Sequence, residues 1–120
     1  MPSSPLHQLY RRWIDEVWTA TPGALTAVVA ENFLGHWPDR TVTGREGLGS
    51  IIRQTHEMFV DLEFQITVGP IVEGDYVAGR WIGRGKTADG EMRLSGNDML
   101  RTVGGRIAEY WVESTAAVLT

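Results

Sequence analysis

Polar and apolar residues follow two different periods along this chain, and the change falls near residue 60. Before it, Leu6, Leu9, Tyr10, Trp13, Ile14, Val17 and Trp18 recur at helical spacing, which predicts an amphipathic helix from about Ser4 to Ala20. Thr21-Pro22-Gly23 ends it and starts a shorter helix through Ala24–Ala30, with Pro22 near its first turn. Glu31 to Thr43 reads as irregular, with a short extended piece around Phe33–Trp37. Thr43-Gly44-Arg45-Glu46 matches a capping box, in which the threonine hydroxyl and the glutamate carboxylate satisfy free amides at a helix start. The helix it opens runs to about Phe59 and carries Leu48, Ile51, Ile52, Thr55 and Met58 or Phe59 on one stripe.

After residue 60 the period becomes two. Leu62, Phe64, Ile66 and Val68 alternate with Glu63, Gln65 and Thr67, a half-buried strand. Gly69-Pro70 breaks or bends it, and Glu73-Gly74-Asp75 turns it. Tyr76–Lys86 and Met92–Thr102 follow, joined by the hairpin signal Asp89-Gly90. Gly104-Gly105 then turns into Arg106–Glu113. Three helices followed by four antiparallel strands predict an α+β domain in which a curved sheet wraps a helix. No repeat, linker or low-complexity segment appears, so residues 1–120 read as one domain.

Composition leaves that picture standing and removes several functions. With 120 residues, 42% hydrophobic and 22% charged, the chain is an ordinary globular protein long enough to bury a core. A formal net charge of −4 and the lack of a Lys/Arg cluster argue against nucleic-acid binding. No apolar run approaches the roughly 20 residues that span a bilayer. Met1-Pro2-Ser3-Ser4-Pro5 lacks the basic and apolar regions of a secretory signal, so a cytoplasmic protein is expected. Zero cysteines exclude disulfides, thiolate nucleophiles and cysteine metal sites. His7, His36 and His56 have no close spacing, so no metal is expected. Gly83, Gly85 and Gly90 belong to a strand and hairpin, unlike the strand-to-helix turn of a phosphate loop. No cofactor is expected.

The chemistry centres on Asp98. Met92, Leu94, Gly96, Asp98 and Leu100 share one face of their strand, apolar except for that carboxylate; Arg93, Ser95, Asn97, Met99 and Arg101 share the other. A buried carboxylate must be paired, neutralised or beside a wet cavity, which makes Asp98 the candidate for acid/base chemistry. Arg80, mid-strand with Tyr76, Ala78 and Ile82, is read either as entering the pocket or as the partner of Asp98. His36 sits in the irregular segment, and a histidine can serve as acid or base near pH 7. Glu109 alternates with Ile107 and Trp111 and is read as an inward salt-bridge partner; Glu113 is read as a surface group. Five tryptophans and fourteen glycines, the latter concentrated after residue 43, suit aromatic walls and curved strands. Tyr10, Trp13, Phe33, Trp37, Phe59 and Trp111 are the candidate pocket lining for a small apolar or aromatic metabolite.

Four phrases carry a resemblance to a known family: Thr43-Gly44-Arg45-Glu46-Gly47, Val72-Glu73-Gly74-Asp75-Tyr76-Val77, Ser95-Gly96-Asn97-Asp98-Met99-Leu100-Arg101 and Gly105-Arg106-Ile107-Ala108-Glu109-Tyr110-Trp111. In this order the chain resembles the nuclear transport factor 2-like superfamily, and within it the SnoaL-like branch that includes small polyketide cyclases. The resemblance implies a cone-shaped antiparallel sheet wrapped around a long N-terminal helix. It also implies an aspartate at the position of Asp98 that serves as acid/base for aldol closure in cyclases. In ketosteroid isomerases the same position holds a protonated oxyanion donor.

Other family positions diverge. The cyclase histidine would fall near Thr87, the isomerase tyrosine near Trp13 and its base near Trp37. In epoxide hydrolases of this fold an arginine matches Arg80, but the carboxylate two residues on is Ile82 here. The leading expectation is a cofactor-free enzyme that moves a proton by Asp98 on an apolar carbonyl compound, with Trp13, Asn97 or Arg80 as donor to the enolate. The alternative is a non-catalytic binding or assembly module. A third reading, epoxide opening by activated water, needs Glu109 beside Asp98. The resemblance further implies a homodimer through the exposed sheet face, with Tyr110 and Val112 opposite Ile107 and Trp111.

Overall fold

The computed structural model of the chain describes residues 5–118, so the predicted helix start at Ser4 lies outside them. Helix α1 (Pro5–Arg12) runs directly into one π-helical turn, Trp13–Val17. The Trp18 amide reaches back to the Trp13 carbonyl at 3.2 Å, and this widened turn buries Trp13, Ile14 and Val17 together. Helix α2 (Ala24–Val28) follows Gly23, whose φ of 82° suits glycine.

The segment from Glu31 to Thr43, expected to be irregular apart from a short extended piece around Phe33–Trp37, is a hairpin of β1 (Val29–Trp37) and β2 (Arg40–Thr43), and the expected extended piece is the second half of β1. Exposed Glu31 and Asn32 interrupt its alternation, which hides the strand from a period count. Helix α3 (Gly44–Met58) begins at the predicted place without the predicted capping box. Thr43 is the last residue of β2, fully extended and paired with Leu34, and its side chain makes no cap bond. Arg45 fixes this end of the helix, its Nε donating to the Val29 carbonyl at 2.8 Å.

Strands β3 (Val60–Glu73), β4 (Tyr76–Thr87), β5 (Gly90–Val103) and β6 (Arg106–Val118) complete one six-stranded sheet of order β2-β1-β6-β5-β4-β3. The sheet is curved and unclosed, with β2 and β3 at its edges. The four-strand antiparallel count needs a correction: β1 joins β6 in parallel, making the sheet mixed. One face holds the core, where Tyr10, Trp13 and Val17 pack among Val28, Phe33, Leu48 and Leu100.

A bulge decides which side chains of β6 point inward. Arg101 faces Glu109 and Thr102 faces Ile107, so Ala108 is an extra residue without a partner on β5. Beyond it the inward positions change parity: Tyr110 and Val112 are buried, while Glu109 and Trp111 stand on the outer face. Among the described residues, no helix is long and apolar enough to cross a membrane.

Candidate functional site

Asp98 is 4% exposed and points inward from β5 as its alternation predicts. Among the described residues no cation reaches it. Three neutral donors do: the Tyr110 hydroxyl gives to Oδ1 at 2.7 Å, Trp81 Nε1 to Oδ1 at 3.0 Å and the Tyr10 hydroxyl to Oδ2 at 3.0 Å. Trp13 Nε1 adds a weak pull without completing a hydrogen bond; it is fully buried and has no partner among the described residues.

Two glycines make this cluster possible. Gly79 lies across from Asp98 in the β4–β5 ladder, and a Cβ there would meet the Tyr10 ring at 2.5–2.6 Å. Gly96 lies across from Trp81, and a Cβ there would come within 3.0 Å of three atoms of the indole. Both large side chains therefore cross bare backbone to reach the carboxylate.

Removal from water pushes the Asp98 carboxyl up from 3.8 to about 6, against the opposing hydrogen bonds of Tyr110, Trp81 and Tyr10. Burial, followed by the neighbouring Asp98 charge, drives the Tyr10 and Tyr110 phenols well above their ordinary value, so both keep their protons near neutrality. The result is a carboxyl group able to change protonation near pH 6 among donors that do not.

An apolar cavity of about 170 Å³ lies beside the cluster. Ile14, Ile51, Tyr110 and Val112 are its buried wall, and Trp18, Trp37, Phe64 and Trp81 add partly buried rings. Arg40 and Ser114 are exposed and mark its open side. Asp98 does not line the cavity. Tyr110 and Trp81 do, and both donate to Asp98, so they connect the carboxylate to the space where a ligand would sit.

The predicted site residues divide between the two faces. Trp37 lines the cavity; Tyr10 donates to Asp98 from behind it; Trp13 and Phe33 pack together in the core with ring centres 6.2 Å apart. Phe59 is buried against Gly85, away from the cavity. Arg80, expected to enter the pocket or pair with Asp98, is exposed on the outer face opposite Asn97, because inward positions on β4 are Val77, Gly79 and Trp81. Asn97 is exposed there too and donates nothing to the cavity.

Trp111 and His36 also belong to the outer face, stacked with ring centres 5.4 Å apart. His36 Nε2 lies 2.6 Å from Glu109 Oε2, and Arg101 Nε donates to Oε1 at 3.2 Å. The His36 hydrogen bond, helped by Arg101, holds the Glu109 carboxyl below its usual range. Glu109 is thus a salt-bridge partner but faces outward, so it cannot supply a second carboxylate beside Asp98. Tyr110, expected on the outer face, is instead the shortest donor to Asp98. No local pattern in the sequence signals this, because the bulge at Ala108 sets which β6 side chains face inward.

No three His, Asp or Glu side chains among the described residues stand close enough to share a metal ion.

Comparison with known proteins follows the same lines. Wild-type IdmH from Streptomyces antibioticus, a candidate polyketide cyclase, superposes with a TM-score of 0.79 at 21% identity, covering 93% of this chain and 92% of that one. A candidate SnoaL-like polyketide cyclase from Jannaschia sp. CCS1 gives 0.80 at 18% identity, covering 95% and 90%. A protein of ketosteroid isomerase-like fold from Catenulispora acidiphila, in complex with trimethylamine, gives 0.76 at 22% identity, covering 88% and 84%. At these identities the likeness is one of fold. No curated protein matches the sequence. The SnoaL-like domain profile matches residues 10–110, and by that match the chain belongs to the SnoaL-like family.

Proposed function

We propose that this protein is a cofactor-independent enzyme that moves a proton on a small apolar carbonyl compound, in a ring closure, isomerisation or dehydration of the polyketide cyclase kind. The observation that carries the proposal is the sharing of Tyr110 and Trp81 between the Asp98 carboxylate and the cavity wall. When Asp98 is protonated it donates to the Tyr110 oxygen, and the Tyr110 O–H is released toward an oxygen in the cavity, while the proton next to the carbonyl leaves to a water or buffer base at the open side beside Arg40 and Ser114. A carbonyl held there receives a hydrogen bond that strengthens as negative charge develops on it. Tyr110 is the group in contact with substrate, and Asp98 controls where its proton lies.

Deuterium incorporation next to the carbonyl of acetophenone in D2O, followed by NMR, tests this. Wild type is expected to exceed the buffer rate, with Asp98→Asn and Tyr110→Phe each slower by about 10²-fold. Equal rates in all three proteins would sink the proposal.

One observation favours a binding module instead: both Asp98 oxygens are occupied and the residue does not line the cavity. On that reading no protein accelerates exchange, and Asp98→Asn changes only stability. We also infer a homodimer through the outer sheet face, on the strength of the exposed Tyr76, Met99 and Val103 there.

A further inference from the structure

We propose that the inner cavity selects a single-ring compound bearing a carboxylate or an equivalent oxyanion, and that Arg40 is the residue that recognises the anion. This deepens the functional reading above and takes its cavity as the binding site.

Size sets the first limit. A cavity of about 150 Å³ accommodates benzene, so 170 Å³ holds one substituted ring and excludes the fused rings of a large polyketide. The walls suit that ring. Trp37, Trp18, Phe64 and Trp81 follow one another edge to face, with successive ring centres 6.5, 6.5 and 5.5 Å apart.

Charge sets the second. Arg40 opens β2 across from Trp37, is exposed, and has no carboxylate partner among the described residues. It is the one charged residue in the lining, and no carboxylate faces it there. The Thr55 hydroxyl is already committed to the Ile51 carbonyl at 2.9 Å. Aromatic walls alone would also suit an alkylammonium ion, but the guanidinium at the open side repels a cation and attracts an anion. The Asp98 charge does not reverse this, since three donors already engage it.

Quenching of tryptophan fluorescence reads binding directly, because Trp18, Trp37 and Trp81 line the cavity. Four probes separate the terms: benzoate, toluene, benzylammonium and 2-naphthoate. Benzoate is expected to bind about tenfold or more tightly than toluene, as a charge-assisted hydrogen bond requires. Benzylammonium and 2-naphthoate are expected to bind more weakly than benzoate. Arg40→Gln, at an exposed position, is expected to remove the advantage of benzoate and leave toluene unchanged, with circular dichroism confirming the fold. Tighter binding of benzylammonium or naphthoate, an unchanged benzoate affinity in Arg40→Gln, or no binding of any probe would overturn the inference. These outcomes are independent of deuterium exchange, so selective binding without exchange discards the enzyme and keeps the selectivity. Exchange without benzoate selectivity does the reverse.

Discussion

Asp98 costs the folded state stability, and the sign of its shift says when. A carboxyl at about 6 in the folded chain and 3.8 in the unfolded chain binds more protons when folded between those values. Stability is therefore greatest below the unfolded value and falls as pH rises through the folded one. At ~1.36 kcal/mol per unit, the gap between 3.8 and about 6 amounts to about 3 kcal/mol. Asp98→Asn carries no such term. The stability of wild type minus that of the Asn variant, measured by urea unfolding, is expected to fall by about 3 kcal/mol from pH ~3 to pH ~7 and to be flat above. A difference that rises with pH would mean a carboxylate stabilised by its site. The donors should rank as well. Tyr110→Phe is expected to raise the Asp98 value more than Tyr10→Phe, read by carbon-detected NMR, because the Tyr110 bond is shorter and opposes the shift more strongly. The inward carboxylate was legible from alternation alone. Its donors were not: Tyr10 lies 88 positions away, and no local period shows which aromatic ring turns back toward it.

At the scale of elements, the long strands β3, β4 and β5 were legible because their alternation runs unbroken for several residues. β1 was legible only at Phe33–Trp37, because exposed Glu31 and Asn32 interrupt its first half and its partner β6 is distant in sequence and parallel. On β6 one bulged residue, Ala108, reverses the parity. That is why Tyr110 and Trp111 exchanged their expected faces. Glycines in these elements are not equivalent, and substitution separates them. At position 96, Gly→Ala places a methyl inside the Trp81 indole, so a loss of about 1–3 kcal/mol is expected. The displaced indole no longer donates to Asp98, whose titration should move up together with that loss. Gly49 on α3 is the contrast: a Cβ there meets neighbours at an ordinary 3.5 Å. Gly49→Ala is expected to raise stability by about 0.5–1 kcal/mol through helix propensity. Thermal unfolding of the two variants side by side checks both signs; a stabilising Gly96→Ala would refute the close-approach argument.

For the whole molecule, the sheet divides two kinds of chemistry. Its inner face carries Asp98, its donors and the cavity; its outer face carries the His36–Glu109–Arg101 cluster and an apolar strip. Met99, 51% exposed, sits across from Trp111 in the β5–β6 ladder, and Tyr76, 47% exposed, has its ring centre 6.5 Å from that of Trp111. An apolar strip that spans three strands is unusual on a surface that meets only water. A second copy laid on it would cover the strip while the cavity, bounded by residues of the other face, stayed open. The apolar residues of the outer face were expected at Tyr110 and Val112, and the Ala108 bulge instead places Trp111 there, so the proposed dimer would use Trp111 and its neighbours. Sedimentation equilibrium is expected to give twice the chain mass for wild type and the chain mass for Met99→Glu, which buries a charge in the interface. Benzoate affinity should be the same in both. A wild-type protein that stays monomeric at high concentration would exclude the dimer. Loss of benzoate binding on dissociation would instead mean that the two faces are coupled through β5, which carries Met99 outward and Asp98 inward at adjacent positions.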